Sequence, residues 1–555
     1  MKPVDQRIEI NETSSDPSSP MLTRSISSKV LYAFSLPTPR RKNALWHLRN
    51  WVLICLILFS VLLFWMGYNA SDSLRTTESA ITQGNSRESS YMPSIPHSAP
   101  SRLEDYYPDP RSAPSQKSKN LYGVVFDAGS TGTRVHVFNL SKAKSEFGEQ
   151  YTLANELFLQ VKPGLSAYAK DPSKAADSLT PLLKAAETYL PAGLCSKTAV
   201  VLRATAGLRL LKSREADDIL QAVASKLSSS CLVKSKNAVS ILDGNQEGLY
   251  LWISLNFMTG RMPAVGSSDA DPKALSRTVG TLDLGGGSTQ ITFAPSDPMT
   301  LVQAPDGYAT SIETGQPVNK TNIKQGKQVY SHSYLGLGLM SARYSMLHIS
   351  TKRLPTQYLM NNVLYSPCTP VNTSIPWTHA NRNWEIRNMP STTSVLLESE
   401  LKEASQALES ESPSPVLVTC YAQALQALRD PVEGDPAADI FQPSGLIVHR
   451  PAELTEQQFY AFSYIFDLAM SVGLINDVNG TTVTIGEFRD AAQRICNKPN
   501  PDQPFECMDL NFIVALLHNG YGFPWDKKLT LQKKVKSFEI SWGLGALFAE
   551  MAAAR

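Results

Sequence analysis

An excess of basic side chains is absent from this chain. Its 52 Lys and Arg residues are nearly balanced by 50 Asp and Glu residues, which leaves a formal net charge of +2 over 555 residues. Nucleic-acid binding needs a positive field that matches the phosphate backbone, and the chain also lacks a basic stripe interleaved with aromatic residues. The sequence therefore predicts no nucleic-acid partner.

Motifs that define two large classes of enzyme are absent as well. The sequence contains no GxxxxGK[ST] loop, which excludes a P-loop nucleotide hydrolase. It contains no CxxC pair and no HExxH helix, so a zinc site has no support.

One long hydrophobic run interrupts an otherwise ordinary globular composition. Residues 51–68 form a run of 18 residues without a charge and have a tryptophan near each end, as a membrane-spanning helix requires. A buried soluble helix and a signal peptide are the alternatives. Because basic residues precede the run at Arg40, Arg41, Lys42 and Arg49, the positive-inside rule predicts a single-pass type II membrane protein of the secretory pathway, in the Golgi or the plasma membrane.

The rest of the chain divides by composition. Residues 1–50 predict a disordered cytosolic tail, and residues 69–119, rich in Pro and Ser, predict a stem. From residue 120 onward, strands alternate with amphipathic helices, for example over 175–190 and 215–227. This alternation is typical of an α/β fold, and the length allows two domains.

A strand, a polar turn and a second strand are predicted over residues 122–138, YGVVFDAGSTGTRVHVF. The turn combines the carboxylate of Asp127 with glycines and with the hydroxyls of Ser130 and Thr131. Glycines let backbone N–H groups approach a ligand, and the hydroxyls add donors. These groups could form a phosphate cradle, although turns of this composition also join ordinary hairpins.

A second copy of the pattern favours the phosphate cradle. Residues 279–293, VGTLDLGGGSTQITF, again place an aspartate, Asp283, after an apolar run and before glycines and hydroxyls. Such a repeat predicts duplicated domains that each contribute a phosphate loop to one shared cleft.

Five blocks in a fixed order carry a resemblance to a known family. Besides the two loops they are AVVLRATAGLRLL at 199–211, ILDGNQEGLYLWISLN at 241–256, and the segment 507–548. On these blocks the sequence resembles the apyrases, which are nucleoside triphosphate diphosphohydrolases related to the ecto-NTPDases and the Golgi nucleoside diphosphatases, and it looks closest to the plant apyrases. The resemblance extends from about residue 120 to the C-terminus.

The resemblance implies a two-domain α/β fold of the actin/Hsp70-like (RNase H-like, duplicated) architecture, with the active site in the interdomain cleft. Domain I would comprise residues 120–242, completed by a C-terminal helix at about 543–555, and domain II residues 243–542. The implied activity is release of terminal phosphates from nucleoside tri- and diphosphates to give the monophosphate.

The resemblance also implies roles for individual residues. Asp127 and Asp283 would hold a divalent cation, Ca²⁺ or Mg²⁺, through water, and Glu247 would be the general base. From the residues alone, stabilising the helix dipole is the more common role for a glutamate in the first turn, and the resemblance reverses that preference. The phosphate-binding residues would be Ser130, Thr131, Thr205, Gly285, Gly286, Gly287, Ser288 and Gln290, with Gln290 also helping Glu247 to position the attacking water.

The base would lie against Trp542 and against a second aromatic ring, either Tyr464 or Phe466. Trp542 could instead be an ordinary core residue. Stacking without hydrogen bonds to the base edge would tolerate several bases.

Beyond the hydrophobic run the chain has an even set of six cysteines. The set is typical of an oxidising compartment and allows 15 pairings. Locality and the resemblance favour Cys195–Cys231, Cys368–Cys420 and Cys496–Cys507. Glycosylation sequons occur at Asn69, Asn139, Asn319, Asn372 and Asn479.

Two other functions remain open at this level. An actin- or Hsp70-like binding ATPase would share the twin loops, but the predicted luminal address and Glu247 favour hydrolysis. A catalytically weak nucleotide-binding protein is harder to dismiss, although Glu247, Asp127 and Asp283 are all present.

Overall fold

The computed structural model describes residues 119–145, 148–262, 275–324, 326–389, 396–429 and 448–553. The predicted cytosolic tail, membrane span and stem, up to residue 118, lie outside these residues. Within the described residues no helix has both the length and the apolar character needed to span a bilayer.

The first sheet is built around the strand that carries Asp127. Its strands are β1 (Lys119–Ala128), β2 (Thr133–Ser145), β3 (Gly148–Val161), β4 (Ala199–Ala204) and β5 (Val233–Ile241), in the order β3-β2-β1-β4-β5. β1, β2 and β3 are antiparallel neighbours, whereas β4 and β5 run parallel to β1. Val124, Val125 and Phe126 are all fully buried, because a central strand is covered on both faces.

The second sheet surrounds the strand that carries Asp283. Its first strands are β6 (Gly280–Leu284), β7 (Ser288–Phe293), β8 (Ala309–Ser311) and β9 (Gln328–Leu335). A small separate sheet follows, made of β10 (Val363–Ser366), β11 (Ser374–His379) and β12 (Arg382–Asn388). The chain then returns to the second sheet with β13 (Phe459–Ser463), β14 (Thr481–Thr484) and β15 (Lys528–Leu531), and a short pair, β16 (Lys534–Val535) and β17 (Phe538–Glu539), comes last.

The two sheets repeat one topology. The second sheet has the order β14-β15-β13-β6-β7-β9-β8, in which β6, β7 and β9 are antiparallel neighbours and β13 and β15 run parallel to β6. The segment β9-β7-β6-β13-β15 therefore matches β3-β2-β1-β4-β5. Both predicted hairpins and the mixed α/β class are confirmed, and the repeat found in the sequence corresponds to a repeat of strand order.

Helices cover both sheets. They are α1 (Pro172–Ser178), α2 (Thr180–Tyr189), α3 (Ala206–Arg209), α4 (Ser213–Ser228), α5 (Gly244–Met258), α6 (Met299–Gln303), α7 (Leu339–Lys352), α8 (Glu398–Leu408), α9 (Pro415–Arg429), α10 (Tyr464–Ser471), α11 (Ile485–Asn497), α12 (Glu506–Val514) and α13 (Gly543–Ala553). The helix predicted over 215–227 is α4. The helix predicted over 175–190 is wrong as a single element: it is α1 and α2, separated at Leu179, because Pro181 lacks an N–H and favours the first turn of a new helix.

The C-terminal helix α13 returns to the first sheet. It lies against β1 and α5, where Leu547 packs directly on Gly123: a Cβ at that glycine would be 2.3 Å from the Leu547 side chain. Trp542, Leu544 and Phe548 share one buried cluster with Val125 of β1 and residues of α5. The boundaries of domains I and II remain predictions.

Three disulfides link the described cysteines as Cys195–Cys231, Cys368–Cys420 and Cys496–Cys507. The pairing favoured among the 15 is confirmed. The first disulfide lies beside the first sheet, and the other two join elements packed on the second sheet.

Candidate active site

The carboxyl ends of β1 and β4 in one sheet and of β6 and β13 in the other open onto a shared cavity of about 390 Å³. Parallel strands place their carboxyl ends at one edge, so the residues that follow them converge there. Nearly all the predicted site residues line this cavity: Asp127, Ser130, Thr131, Thr205, Glu247, Asp283, Gly285, Gly286, Gly287, Ser288, Tyr464, Phe466 and Trp542. Gln290 does not line the cavity, but its Nε2 donates to Ser288 Oγ, which does.

The two aspartates occupy equivalent places but have different partners. Asp127 Oδ2 accepts a hydrogen bond from Arg134 Nη1 at 3.1 Å. Asp283 accepts a hydrogen bond from the hydroxyl of Ser463. Burial raises the pKa of both carboxyl groups, and Arg134 partly offsets the rise at Asp127.

These aspartates fit a hydrated divalent cation. Among the described residues, Asp127 Oδ1 and Asp283 Oδ1 are buried oxygens without a hydrogen-bond partner. Buried polar atoms are normally satisfied, so a pair of free carboxylate oxygens on one cavity is the donor set expected for Mg²⁺ or Ca²⁺ and its water. The residues present thus match the predicted cofactor.

Glu247 lies in the first turn of α5, as predicted. The helix begins where Asp243 caps the backbone N–H groups of Asn245 and Gln246. The Glu247 side chain points into the cavity and is only 7% exposed. Burial raises its pKa to about 7, and the negative charges of Asp283 and Asp127 add to the rise. A carboxylate with a pKa near neutrality can accept a proton from water far more readily than an ordinary glutamate.

Arg209 holds Glu247, and our sequence analysis missed it. Its Nη2 donates to Glu247 Oε2 at 2.8 Å and to Ser288 Oγ at 3.1 Å, and its Nη1 donates to Leu242 O at 2.7 Å. Arg209 therefore ties the candidate base to the second phosphate loop. Its position in the ATAGLR block, four residues after Thr205, was the available signal.

Gln290 completes this network from β7. Its Nε2 donates to Ser288 Oγ at 2.7 Å and to Ser333 Oγ at 2.8 Å, and it lies 3.5 Å from Glu247 Oε2. Gln290 thus contacts the second loop and the candidate base together.

The two phosphate loops touch each other across the cavity. A Cβ at Gly286 would lie 2.5 Å from Ser130 Oγ and 3.0 Å from Thr131 Cγ2, so a larger residue here would displace the Ser130 side chain. Thr205 joins them from the end of β4, where its N–H donates to Ala128 O at 3.1 Å. Backbone N–H groups and hydroxyls from three strand ends thus surround one point, an arrangement that suits a phosphate group.

Aromatic residues also line the cavity. Trp542 precedes α13, and Phe466 lies in the first turn of α10. The Nζ atom of Lys533 is 5.8 Å from the centre of the Phe466 ring. Tyr464, the other candidate, shares a hydrogen bond with Thr131 of the first phosphate loop. That interaction places the Tyr464 hydroxyl next to the first phosphate loop, and both rings remain candidates for the second base contact.

The sequence analysis also did not identify Ser463. It ends β13 with a positive φ of 55° and a ψ of −125°, a backbone conformation that only glycine adopts without strain. Its hydroxyl donates to Asp283. No local sequence signal marks a serine in such a position.

Fold and site together define a mixed α/β protein with two phosphate-type loops, free carboxylate oxygens and a buried candidate base on one cleft. Residues 114–554 match the model of the GDA1/CD39 (nucleoside phosphatase) family, and the chain belongs to this family. The predicted family is confirmed, and with it the class of enzyme, a hydrolase of nucleotide phosphoanhydride bonds.

Named relatives cover most of the chain. Ectonucleoside triphosphate diphosphohydrolase 6 of Mus musculus is 38% identical over 431 residues, which are 77% of this chain and 81% of that protein. Nucleoside diphosphate phosphatase ENTPD5 of Homo sapiens is 35% identical over 434 residues, 78% of this chain and 87% of that protein. A crystal structure of nucleoside triphosphate hydrolases from Neospora caninum shares the fold, with a TM-score of 0.50, 16% identity, and coverage of 79% of this chain and 93% of that chain.

Proposed function

We propose that this protein is a membrane-anchored nucleoside tri- and diphosphate phosphohydrolase that releases terminal phosphates by direct attack of water, with Glu247 as the general base. The observation that carries the proposal is the convergence of two phosphate-type loops and two unsatisfied carboxylate oxygens around a buried glutamate whose pKa lies near 7. The names of the relatives, a triphosphate diphosphohydrolase and a diphosphate phosphatase, support the substrate class.

The two phosphate loops would bind the terminal phosphates. Ser130, Thr131, Thr205 and Ser288 would donate from hydroxyls, and the backbone N–H groups of Gly286 and Gly287 would donate from the second loop. The N–H of Gly285 donates to Ser288 O at 3.0 Å and would shape that loop. Asp127 and Asp283 would hold the divalent cation through water. The cation, when bound, supplies positive charge that neutralises the phosphates and allows them to approach the carboxylates.

Glu247 and Gln290 would position the attacking water. The water oxygen forms a bond to the terminal phosphorus while the bond from phosphorus to the bridging oxygen breaks, and Glu247 accepts the proton of the water. Arg209 would hold the Glu247 carboxylate in place through its 2.8 Å hydrogen bond. No protein nucleophile is required, and the products are orthophosphate and the shortened nucleotide.

The base would stack between Trp542 and Phe466. Both rings line the cavity, and Tyr464 would act on the phosphate through Thr131. We infer that the duplicated strand order represents the actin/Hsp70-like architecture, in which domain I spans 120–242 with the C-terminal helix and domain II spans 243–542.

We further propose that residues 51–68 anchor the enzyme as a type II membrane protein with the catalytic part in the lumen or outside the cell. Three disulfides support an oxidising compartment. The sequons at Asn319, Asn372 and Asn479 lie on exposed residues and suit glycosylation, whereas Asn139 is half-buried in β2.

The test is phosphate release by the purified luminal part, residues 70–555, from ATP, ADP, GDP and UDP with and without Ca²⁺ or Mg²⁺. Replacement Glu247→Gln should lower the rate at least about 100-fold, because it removes the general base and keeps the side-chain shape. The matched control is Glu506→Gln, since Glu506 is equally buried at 7% exposure but lies away from the cavity. Binding of nucleotide without release by the unmodified protein would contradict hydrolysis and favour the nucleotide-binding protein.

A further inference from the structure

The hairpin of β11 and β12 reaches from the second-sheet side of the molecule to the first. Its side chain at the tip, Asn381, donates from Nδ2 to Ser166 O at 3.1 Å, across 215 residues of sequence. Ser166 belongs to the 3-10 turn Leu165–Tyr168, which follows β3 of the first sheet. Neither residue lines the cavity, and the hydrogen bond connects the β11–β12 hairpin to the turn that follows β3.

The tip of the hairpin is strained. His379 pairs with Arg382, which leaves Ala380 and Asn381 as a two-residue turn with φ values of 49° and 59°. Such a turn favours asparagine or glycine, and an alanine with positive φ is uncommon. Strained backbone persists where its surroundings determine it, and it concentrates at functional elements.

The hairpin is also stiff. Trp377 stacks on His379 with ring centroids 4.9 Å apart, and the guanidinium of Arg343 lies 5.7 Å from the Trp377 ring. Arg343 in turn donates to the buried Asp509 at 3.1 Å and lies 4.1 Å from the Phe505 ring. The hairpin that carries Asn381 is therefore packed, through Trp377 and Arg343, against α7 and α12.

The contact that Asn381 makes lies directly behind the first phosphate loop. A Cβ at Gly164 would be 2.2 Å from Gly129 O and 2.9 Å from the carbonyl group of Ser130, so the 3-10 turn is pressed against that loop. Ser166 itself lies beside Gly207, whose Cβ position is 3.1 Å from Ser166 Oγ and 2.7 Å from Ser130 Cα. A displacement of the turn would therefore displace Ser130.

We propose that Asn381 is a positioning residue that sets the distance between the two phosphate loops by holding the first loop, through Ser166, to the second-sheet side. The proposal rests on the proposed function of the cavity. A single hydrogen bond exposed to water is easily broken and re-formed, so it can hold the loops together for reaction and part when product leaves. Tyr464, which bonds Thr131, provides a second tie between the same loop and the second-sheet side.

The experiment compares three variants of the full-length protein. Asn381→Asp removes the hydrogen-bond donor and places a carboxylate next to the carbonyl oxygen of Ser166. Asn381→Gly also removes the donor, and glycine adopts the positive φ of this turn without strain. The control is Asn383→Asp on the same hairpin, where the side chain accepts from Thr378 Oγ1 at 2.8 Å and keeps that role as an aspartate. Intact disulfides and an unchanged melting temperature confirm folding.

Amide hydrogen exchange of segments 129–132 and 164–168 is measured without nucleotide. Both Asn381 variants should exchange about fivefold faster there, the effect of losing one hydrogen bond, while Asn383→Asp should match the unmodified protein. In phosphate release, KM should rise by a similar factor and kcat should change less. Exchange and KM that stay unchanged in Asn381→Gly, or that change equally in Asn383→Asp, would overturn the proposal. Hydrogen exchange does not depend on turnover. If the protein released no phosphate, the proposed function would be contradicted, but the exchange rates would still test the role of Asn381.

Discussion

The two phosphate loops share a sequence pattern, a hairpin and a place at the cavity, yet their aspartates are supported differently. Asp127 is balanced by the charge of Arg134, from the second strand of its own hairpin. Asp283 is supported mainly by the neutral hydroxyl of Ser463, from the neighbouring parallel strand β13, and the charge of Arg134 has a smaller effect on its pKa. Duplication thus preserved the geometry of the loops and allowed their electrostatics to diverge, so equal substitutions in the two loops should have unequal effects.

The largest expected effects come from the two aspartates. Asp127→Asn and Asp283→Asn should each lower cation-dependent phosphate release about 100-fold or more, because each removes one of the two carboxylates that would hold the cation. Their effects on folding without cation should differ, because burial raises the pKa of both carboxyl groups but only Asp127 forms an ion pair with Arg134. Asp127→Asn removes a buried charge but also the 3.1 Å ion pair with Arg134, so it should stabilise the folded protein less than Asp283→Asn does, by about 1 kcal/mol, since Arg134 is partly exposed.

Asp283→Asn should leave stability unchanged or increased. Burial raises the pKa of Asp283, which means that its ionised form is disfavoured in the folded protein at neutral pH, and a neutral amide removes that cost. Urea unfolding in the presence of a chelator measures both variants. Equal changes in stability would show that Arg134 and Ser463 support the two aspartates equally.

The next effect concerns Glu247, which lies between the loops. A general base must be ionised, and the ionised form is present above its pKa of about 7, so the rate should fall about tenfold per pH unit below pH 7 and level off above it. Arg209→Gln removes the positive charge that lowers the pKa of Glu247. The acidic limb of the pH–rate profile of this variant should therefore move to higher pH. Raising the cation concentration neutralises Asp127 and Asp283 and should move the limb to lower pH.

A pH profile that is flat from 5 to 8 would contradict the assignment of Glu247 as the base. If the acidic limb of the pH–rate profile does not move in Arg209→Gln, then Arg209 acts on the second loop through Ser288 and does not change the pKa of Glu247.

The smallest effect separates two properties of Ser463. Ser463→Ala and Ser463→Gly both remove the hydroxyl and should raise the half-saturating cation concentration about fivefold. The glycine variant also removes the backbone strain at φ 55°, so it should be more stable than the alanine variant by about 1 kcal/mol. Equal melting temperatures would contradict the strain, and an unchanged cation requirement would contradict the support of Asp283.

Much of the site was predictable because its residues belong to short local patterns. An aspartate at the end of a buried strand, glycines in a tight turn and a glutamate behind an aspartate helix cap are each specified within about ten residues. The same locality favoured the disulfide pairs, whose cysteines are 11 to 52 residues apart. The helix over 175–190 was mispredicted for a local reason too, since Pro181 splits a continuous amphipathic pattern into α1 and α2.

The sequence by itself determined the two loops, their repeat, the position of Glu247 and the family that these blocks define, because neighbours along the chain dictate turns, caps and strands. Only the tertiary structure decided which residues support them. Arg209 meets Glu247 across 38 residues and Asn381 meets Ser166 across 215, and Ser463 reaches Asp283 because β13 pairs with β6. Strand order and packing determine these contacts, and a local sequence pattern cannot predict them.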